Sequence, residues 1–320
     1  MSAEPEIGTN IGAITAPSRG AGMGSRREWL VILKRAVRSR RGAIGLAIAG
    51  VVILIAVIGP LVAPHSATAP VTPFPFSKPS GAAPLGGDVL GRDVLSRVLH
   101  GGLVLLGLAA ASTALGVGAG VMLGIMAAYY GRWTDGIIMR TVDVFLAFPQ
   151  LVFALLLVSV VGPKLWLIVV AVGISHTPQV ARVIRSVALD VCERDYVKAV
   201  ELMDTPARKV MFGEILPNLL SVVMVELGLR FTYSIIIIAG LSFLGFGIQP
   251  PAANWGLMIN ENRIGLVVNP WAVVVPAALI AVLTIGLNTF TDAIARASLG
   301  VDRPAEEMVV ATGVILDRSA

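Results

Sequence analysis

LVLLGLAAASTALGVGAGVMLGIMAAYY, residues 103–130, is a run of 28 residues without one charged side chain. Wound as a helix it is about 42 Å long, against a hydrocarbon core of about 30 Å. A helix apolar around its whole circumference has no face for water, so it crosses a bilayer, with length to spare for tilt or for a projecting turn. Five further apolar runs follow the same logic, at about 44–62, 142–161, 165–184, 216–244 and 270–290. The expected fold is all-α, a polytopic membrane protein with six transmembrane helices. Gly116, Gly118, Gly120 and Gly124 sit inside the quoted run. No strand precedes them, so they read as a small-residue stripe for helix packing rather than as a dinucleotide loop.

Composition agrees: 56% of the residues are hydrophobic and 14% charged, where soluble domains carry about 45–50% and 25%. A single cysteine, Cys192, excludes an internal disulfide, and His65, His100 and His176 lack metal-ligand spacing. The formal charge of +5 does not point to nucleic acid, because the basic residues flank apolar runs instead of alternating with stacking aromatics. No Gly-x4-Gly-Lys-Ser/Thr segment is present, so the chain has no P-loop of its own. No Ser/His/Asp set shares a helical face, and no enzymatic activity is expected.

Basic residues set the orientation. Eight precede the first run, and 2, 6 and 3 fall in the later segments on the same side, 19 together; the other side receives 3, 1 and 1, and Arg230 lies inside the fifth run. Both termini are therefore expected in the cytoplasm. Residues 1–28, rich in Gly, Ala, Ser and Thr, read as a disordered cytoplasmic tail. Residues 29–41 interleave Trp29, Leu30, Ile32 and Leu33 with Lys34, Arg35, Arg38, Arg40 and Arg41, which reads as an amphipathic helix on the inner membrane surface, in contact with lipid, or as a solvated basic stretch that obeys the positive-inside rule. Together with the first run, read as an uncleaved anchor, it makes a unit over 29–62. An extracytoplasmic loop, 63–102, a core, 103–290, and a cytoplasmic tail, 291–320, complete the division.

The longest cytoplasmic connection, 185–217, contains DYVKAVELMDTPARKVMFGEILP, residues 195–217. A first helix is predicted over 196–203. Thr205 is then expected as N-cap, with Pro206 opening a second short helix that ends near Phe212. Ala207, Val210 and Met211 share one face of it, and Arg208 and Phe212 another. A helix of about eight residues is marginal alone and needs a surface to dock on.

These residues resemble the inner-membrane permeases of ABC importers, whose cytoplasmic loop carries Glu-Ala-Ala-x3-Gly-x9-Ile-x-Leu-Pro. Lys198-Ala199-Val200 takes the place of the triplet, Asp204 of the glycine and Glu214 of the isoleucine, and Leu216-Pro217 matches. Further segments are similar to the C-type permease of dipeptide and oligopeptide importers: LGGDVLGRDVLSR at 85–97, YGRW at 130–133 with Met139, Arg140 and DVFLAFP at 143–149, and LSFLGFGIQPP at 241–251 followed by Asn254-Trp255-Gly256. Leu103, Leu105 and Ile238 stand where that family has Arg, Ser and Glu. The resemblance covers about 29–290. It implies the type I ABC importer permease fold and one half of a heteromeric pore, with a B-type permease partner, one or two ATPase subunits and an extracytoplasmic substrate-binding protein. ATP and Mg would belong to the ATPases, and no cofactor to this chain. Related permeases carry nickel, glutathione or other small solutes, so the substrate stays open.

On this resemblance the ATPase-coupling residues are Lys198, Ala199, Asp204, Thr205, Pro206, Ala207, Arg208, Met211, Phe212, Leu216 and Pro217. Asp204 suits the glycine position if the turn there is left-handed, a region Asp tolerates. The outer loop, 245–270, cannot be one helix given Gly245, Gly247, Pro250 and Pro251. Gln249, Pro250, Asn254 and Trp255 are expected to form its docking rim for the binding protein, and Phe246, Trp255 and Trp271 suit an interfacial belt. Pro149, Pro178 and Pro276 are candidates for kinks. Glu226 and Arg230, four residues apart deep in the fifth run, read either as an insertion staple or as pore lining that meets the two termini of a peptide. A secondary transporter driven by protons through Glu226 or Asp143, and a membrane scaffold, are the rival readings; no repeated interrupted helices favour the first.

Overall fold

A computed structural model describes residues 25–299. The expected tails fall largely outside them: residues 1–24 and 300–320 are not described, but Ser25 already begins a helix and the last helix runs on to Leu299. The described residues form α1 (Ser25–Arg38), α2 (Arg40–Val62), α3 (Val94–Tyr130), α4 (Arg132–Leu146), α5 (Gln150–Val161), α6 (Leu165–Cys192), α7 (Asp195–Leu202), α8 (Ala207–Val210), α9 (Leu216–Phe243), α10 (Trp255–Asn262) and α11 (Trp271–Leu299). A π-helical turn, Met211–Ile215, joins α8 to α9, and a 3-10 turn, Arg263–Gly265, follows α10.

Among the described residues, five helical stretches are long and apolar enough to span a membrane: α2, α3, α6, the continuous 207–243 stretch, and α11. The third expected run, 142–161, is not one helix. It breaks between α4 and α5, whose axes differ by 84°, because Pro149 has no N–H to give and its ring disfavours helical backbone at Phe148. The bent pair makes the sixth span if counted as one. Pro178 and Pro276, by contrast, lie within unbroken helices.

The long run starts nine residues earlier than its apolar part, at Val94, where the Asp93 carboxylate accepts from the amides of Leu95 and Ser96 and caps α3. Along the seam of α3 with α6 the stripe of small residues is real at three of its four positions. A Cβ on Gly120 would lie 2.5 Å from the Cβ of Val180, and Gly116 and Gly124 are as tight against Gly173 and Ala181, whereas Gly118 faces open space. Backbones that approach this closely replace apolar burial as the glue between spans. Gly45 of α2 and Gly286 of α11 form a second such seam.

The stretch 29–41 differs from expectation. Ser39 ends α1 and its hydroxyl accepts from the Gly42 amide to cap α2. The apolar residues Ile32, Leu33 and Ala36 pack on Ala293, Ile294 and Ala297 of α11 and on Met224 and Val225 of α9. That face covers protein, so only the remainder of α1 is left for lipid. A larger core joins α2, α3, α5, α6, α9, α10 and α11, and a separate cluster at the α7 end packs Val180, Ile184 and Ala188 of α6 against Val197, Val210, Met211, Ile215 and Leu219.

Candidate functional site

The second cluster is what holds α7 and α8 in place. Val197 anchors α7 from one side, with Tyr196 and Val200 leaning on the same core, and Asp195 in the first turn complements the positive end of the helix. Opposite Val197 the side chains point outward: Lys198, Ala199 and Glu201 are exposed. Leu202 and Met203 are 89% and 78% exposed. The chain then reverses at Asp204, whose φ of +55° is the left-handed conformation expected of a residue in the glycine position.

Pro206, not Thr205, is the N-cap of α8; its carbonyl accepts from the amides of Lys209 and Val210, and the Thr205 side chain makes no capping bond. The helix begins one residue later than expected, so the proline stands before it. Nor does it end near Phe212, since the backbone passes through the π turn into α9. Of the residues expected at the coupling surface, Lys198, Ala199, Asp204, Pro206, Arg208 and Phe212 are exposed, while Thr205, Ala207, Leu216 and Pro217 are half-buried. Met211 is buried in the core and has no surface to offer a partner. Leu202 and Met203 are missing from the expected set. Their signal was present: Leu202 stands about 140° around the helix from Val197, and two bare apolar side chains beside a reversal have no reason to exist in water.

Within the spans, Glu226 and Arg230 pair as their spacing predicts, Nε to Oε2 at 2.9 Å. Arg230 also donates to the Gln179 carboxamide on α6 and lies 5.5 Å from the ring centroid of Tyr233. The two are 5% and 8% exposed. A pore between two subunits is lined by side chains that each subunit leaves open on its own, and these are closed in by their own chain. Of the two readings, staple or pore lining, the geometry within this chain is that of an internal staple between α9 and α6.

Above the pair runs a thread of buried polar groups. The Thr113 Oγ1 lies 3.0 Å from the Ser234 Oγ, which lies 3.0 Å from His176 Nε2, and His176 Nδ1 is 3.3 Å from the Gln150 amide nitrogen. One proton order satisfies every member: Thr113 donates to the Ala109 carbonyl, Ser234 to Thr113, His176 Nε2 to Ser234, and Gln150 to His176 Nδ1 and to the Ser175 carbonyl. A neutral histidine thus ties α3, α5, α6 and α9 together at a depth where unpaired groups are expensive.

On the opposite side the segment 85–97 is locked down. Asp88 Oδ2 receives Arg92 Nε and Arg97 Nη1, each at 2.6 Å, and Glu261 Oε2 receives Arg92 Nη2 at 3.0 Å and Arg97 Nη1 at 2.7 Å. The four charges cancel, which makes their burial tolerable. This fastens the loop to α10. Two docking residues are corrected here. Asn254 is fully buried and caps α10 through the amides of Gly256 and Leu257. Trp255 is also fully buried, its indole N–H donating to the Val98 carbonyl at 2.8 Å, and its ring occupies the space that Gly101 and Gly102 leave on α3. Neither reaches a partner or the interfacial belt. Gln249 and Pro250 are exposed, whereas Phe246 is partly buried against the main core.

Comparison with known proteins gives this arrangement a lineage. Residues 120–298 match the family described as binding-protein-dependent transport system inner membrane component. The chain is 31% identical over 264 residues to the dipeptide transport system permease protein DppC of Alkalihalophilus pseudofirmus, covering 82% of this chain and 87% of that one. It is 36% identical over 214 residues to the glutathione transport system permease protein GsiD of Pectobacterium atrosepticum, covering 67% and 71%. Permeases of this kind are membrane subunits that work with a partner permease, a separate ATPase and a binding protein, and do not themselves catalyse a reaction. With its apolar spans, its projecting α7–α8 hairpin and a match over more than half its length, the chain belongs to the family of binding-protein-dependent transport system inner membrane components.

Proposed function

We propose that the chain forms one half of the translocation path for dipeptides or oligopeptides in an ATP-driven importer, paired with a B-type permease and supplied by an extracytoplasmic binding protein. Both termini lie in the cytoplasm, and one or two ATPase subunits, holding ATP and Mg, seat the α7–α8 hairpin. The relatives support the substrate class: dipeptides and glutathione are both short peptide-type solutes.

The observation that carries the mechanism is the apolar tip, Leu202 and Met203, on a hairpin joined without a break to α9. Closure of the ATPases pulls on this tip. The packing of Val197, Val210 and Ile215 against α6 passes the movement to α6 and α9, a rigid-body switch. The substitutions Leu202→Asp with Met203→Asp place two charges where two apolar side chains would be buried. With about 1.5 kcal/mol lost for each side chain, ATPase affinity should fall roughly a hundredfold or more, and peptide-stimulated ATP hydrolysis by the reconstituted complex should vanish while membrane insertion persists. Wild-type uptake in this variant would remove the coupling assignment.

A further inference from the structure

Helix α4 has two unlike sides. One is tied to α6, where Arg185 pairs with Asp135 and Arg182 with Asp143, and Val142 is buried. The other is bare. Arg132, Trp133, Gly136, Ile137 and Arg140 line an open cleft of about 370 Å³ there. Its floor is Gly136, where an added Cβ would meet nothing within 4 Å. Neither Arg132 nor Arg140 has a carboxylate partner among the described residues, while Trp133 is 83% exposed and Ile137 64%.

The depth of this cleft follows from its ties to α6. Arg182 and Arg185 lie 17 and 20 residues beyond Leu165, or about 26 and 30 Å along the helix, at the polar edge of a core about 30 Å thick. Helix α4 therefore lies at the membrane interface. An aromatic ring and an isoleucine are unsuited to water there, and two unneutralised guanidiniums are unsuited to hydrocarbon. A ligand that answers both has an anionic head and an apolar tail.

We propose that the Gly136 notch, flanked by Arg132 and Arg140, holds the phosphate of an anionic phospholipid whose glycerol and upper acyl chain lie over Trp133 and Ile137. Inorganic phosphate would satisfy the arginines and leave the apolar pair uncovered. The site depends neither on the substrate carried nor on which side of the membrane it faces.

The test uses the whole importer complex in nanodiscs of phosphatidylcholine mixed with phosphatidylglycerol, one or the other brominated near the head. Fluorescence of Trp133 is the wild-type signal minus that of Trp133→Phe. In the wild type, brominated phosphatidylglycerol should quench Trp133 at mole fractions where brominated phosphatidylcholine hardly does. The double variant Arg132→Gln with Arg140→Gln should lose that preference roughly thirtyfold, the effect of two interfacial arginines. Arg132→Lys with Arg140→Lys should retain most of it, and Gly136→Leu, which fills the notch without touching a charge, should weaken it. Equal quenching by the two lipids, an unchanged preference in the glutamine variant, or displacement by millimolar inorganic phosphate would each overturn the proposal. So would an unquenched Trp133, the result if a partner subunit covers α4.

Discussion

The buried pair of Glu226 and Arg230 allows a test in which the two single variants are worse than both together. Counting from Pro217, the carboxylate lies about 14 Å and the guanidinium about 20 Å along α9, both within a hydrocarbon core about 30 Å thick. With Nε and Oε2 at 2.9 Å and both residues at least nine-tenths buried, water offers neither charge a substitute partner. Glu226→Gln leaves the guanidinium with only the Gln179 carboxamide and the Tyr233 ring, and Arg230→Gln leaves a bare carboxylate. Stranding one member of a buried pair costs about 3–5 kcal/mol, comparable to the roughly 2.5–3.5 kcal/mol for a lone charge at the bilayer centre. The double variant strands nothing, and its two carboxamides retain the helical spacing, so its loss should stay within about 1 kcal/mol. Thermal unfolding of the purified complex should show the singles about 6–20 °C below wild type and the double within about 4 °C, a coupling of at least about 5 kcal/mol. Uptake by the double variant should be near normal. If the double loses as much stability as the singles combined, the staple is refuted. If it stays stable but loses uptake, the pair serves the transported peptide after all.

Asp204→Gly should preserve both stability and coupled ATP hydrolysis, because φ is already +55°; Asp204→Val should cost about 1–2 kcal/mol, measured as a lower unfolding midpoint. Trp255→Phe should cost about 1 kcal/mol for the lost bond to Val98, and Trp255→Ala about 3–5 kcal/mol for the cavity, with binding-protein affinity unchanged in whatever complex survives; a selective loss of that affinity would restore Trp255 to the docking rim. For orientation, in a Cys192→Ala background a membrane-impermeant maleimide should reach Lys78→Cys and Ala252→Cys from outside, and Met203→Cys only after permeabilisation; labelling of Met203→Cys from outside would invert the topology.

The spans were legible because lipid imposes a length that 28 uncharged residues announce without ambiguity. The break at Pro149 was visible as a proline, but a proline alone does not distinguish the 84° bend there from the unbroken helix around Pro178. The left-handed turn at Asp204 was likewise readable, since few residues tolerate that backbone. What misled was side-chain type read without burial. Trp255 has the composition of an interfacial residue, and only the paired glycines at 101 and 102, more than 150 positions away, show that α3 reserves a seat for it. Glu226 and Arg230 read equally well as staple or lining until Gln179 and Tyr233 closed around them. Arg92, Arg97 and Asp88 were noticed as part of a segment, but the fourth charge, Glu261, lies too far along the chain for spacing to reveal it.

The π turn at Met211–Ile215 has a mechanical consequence of its own. Counted against an ordinary helix, a π turn is one residue of slack wound into the rod. Drawing that residue back into α-helical bonding would twist everything before it by about 100° while leaving α9 where it stands. Phe212 sits inside the slack, at the surface. On the coupling proposed above, this joint stores one residue of length between the hairpin and the membrane, and the packing of Val210, Met211 and Ile215 on α6 is what resists its release.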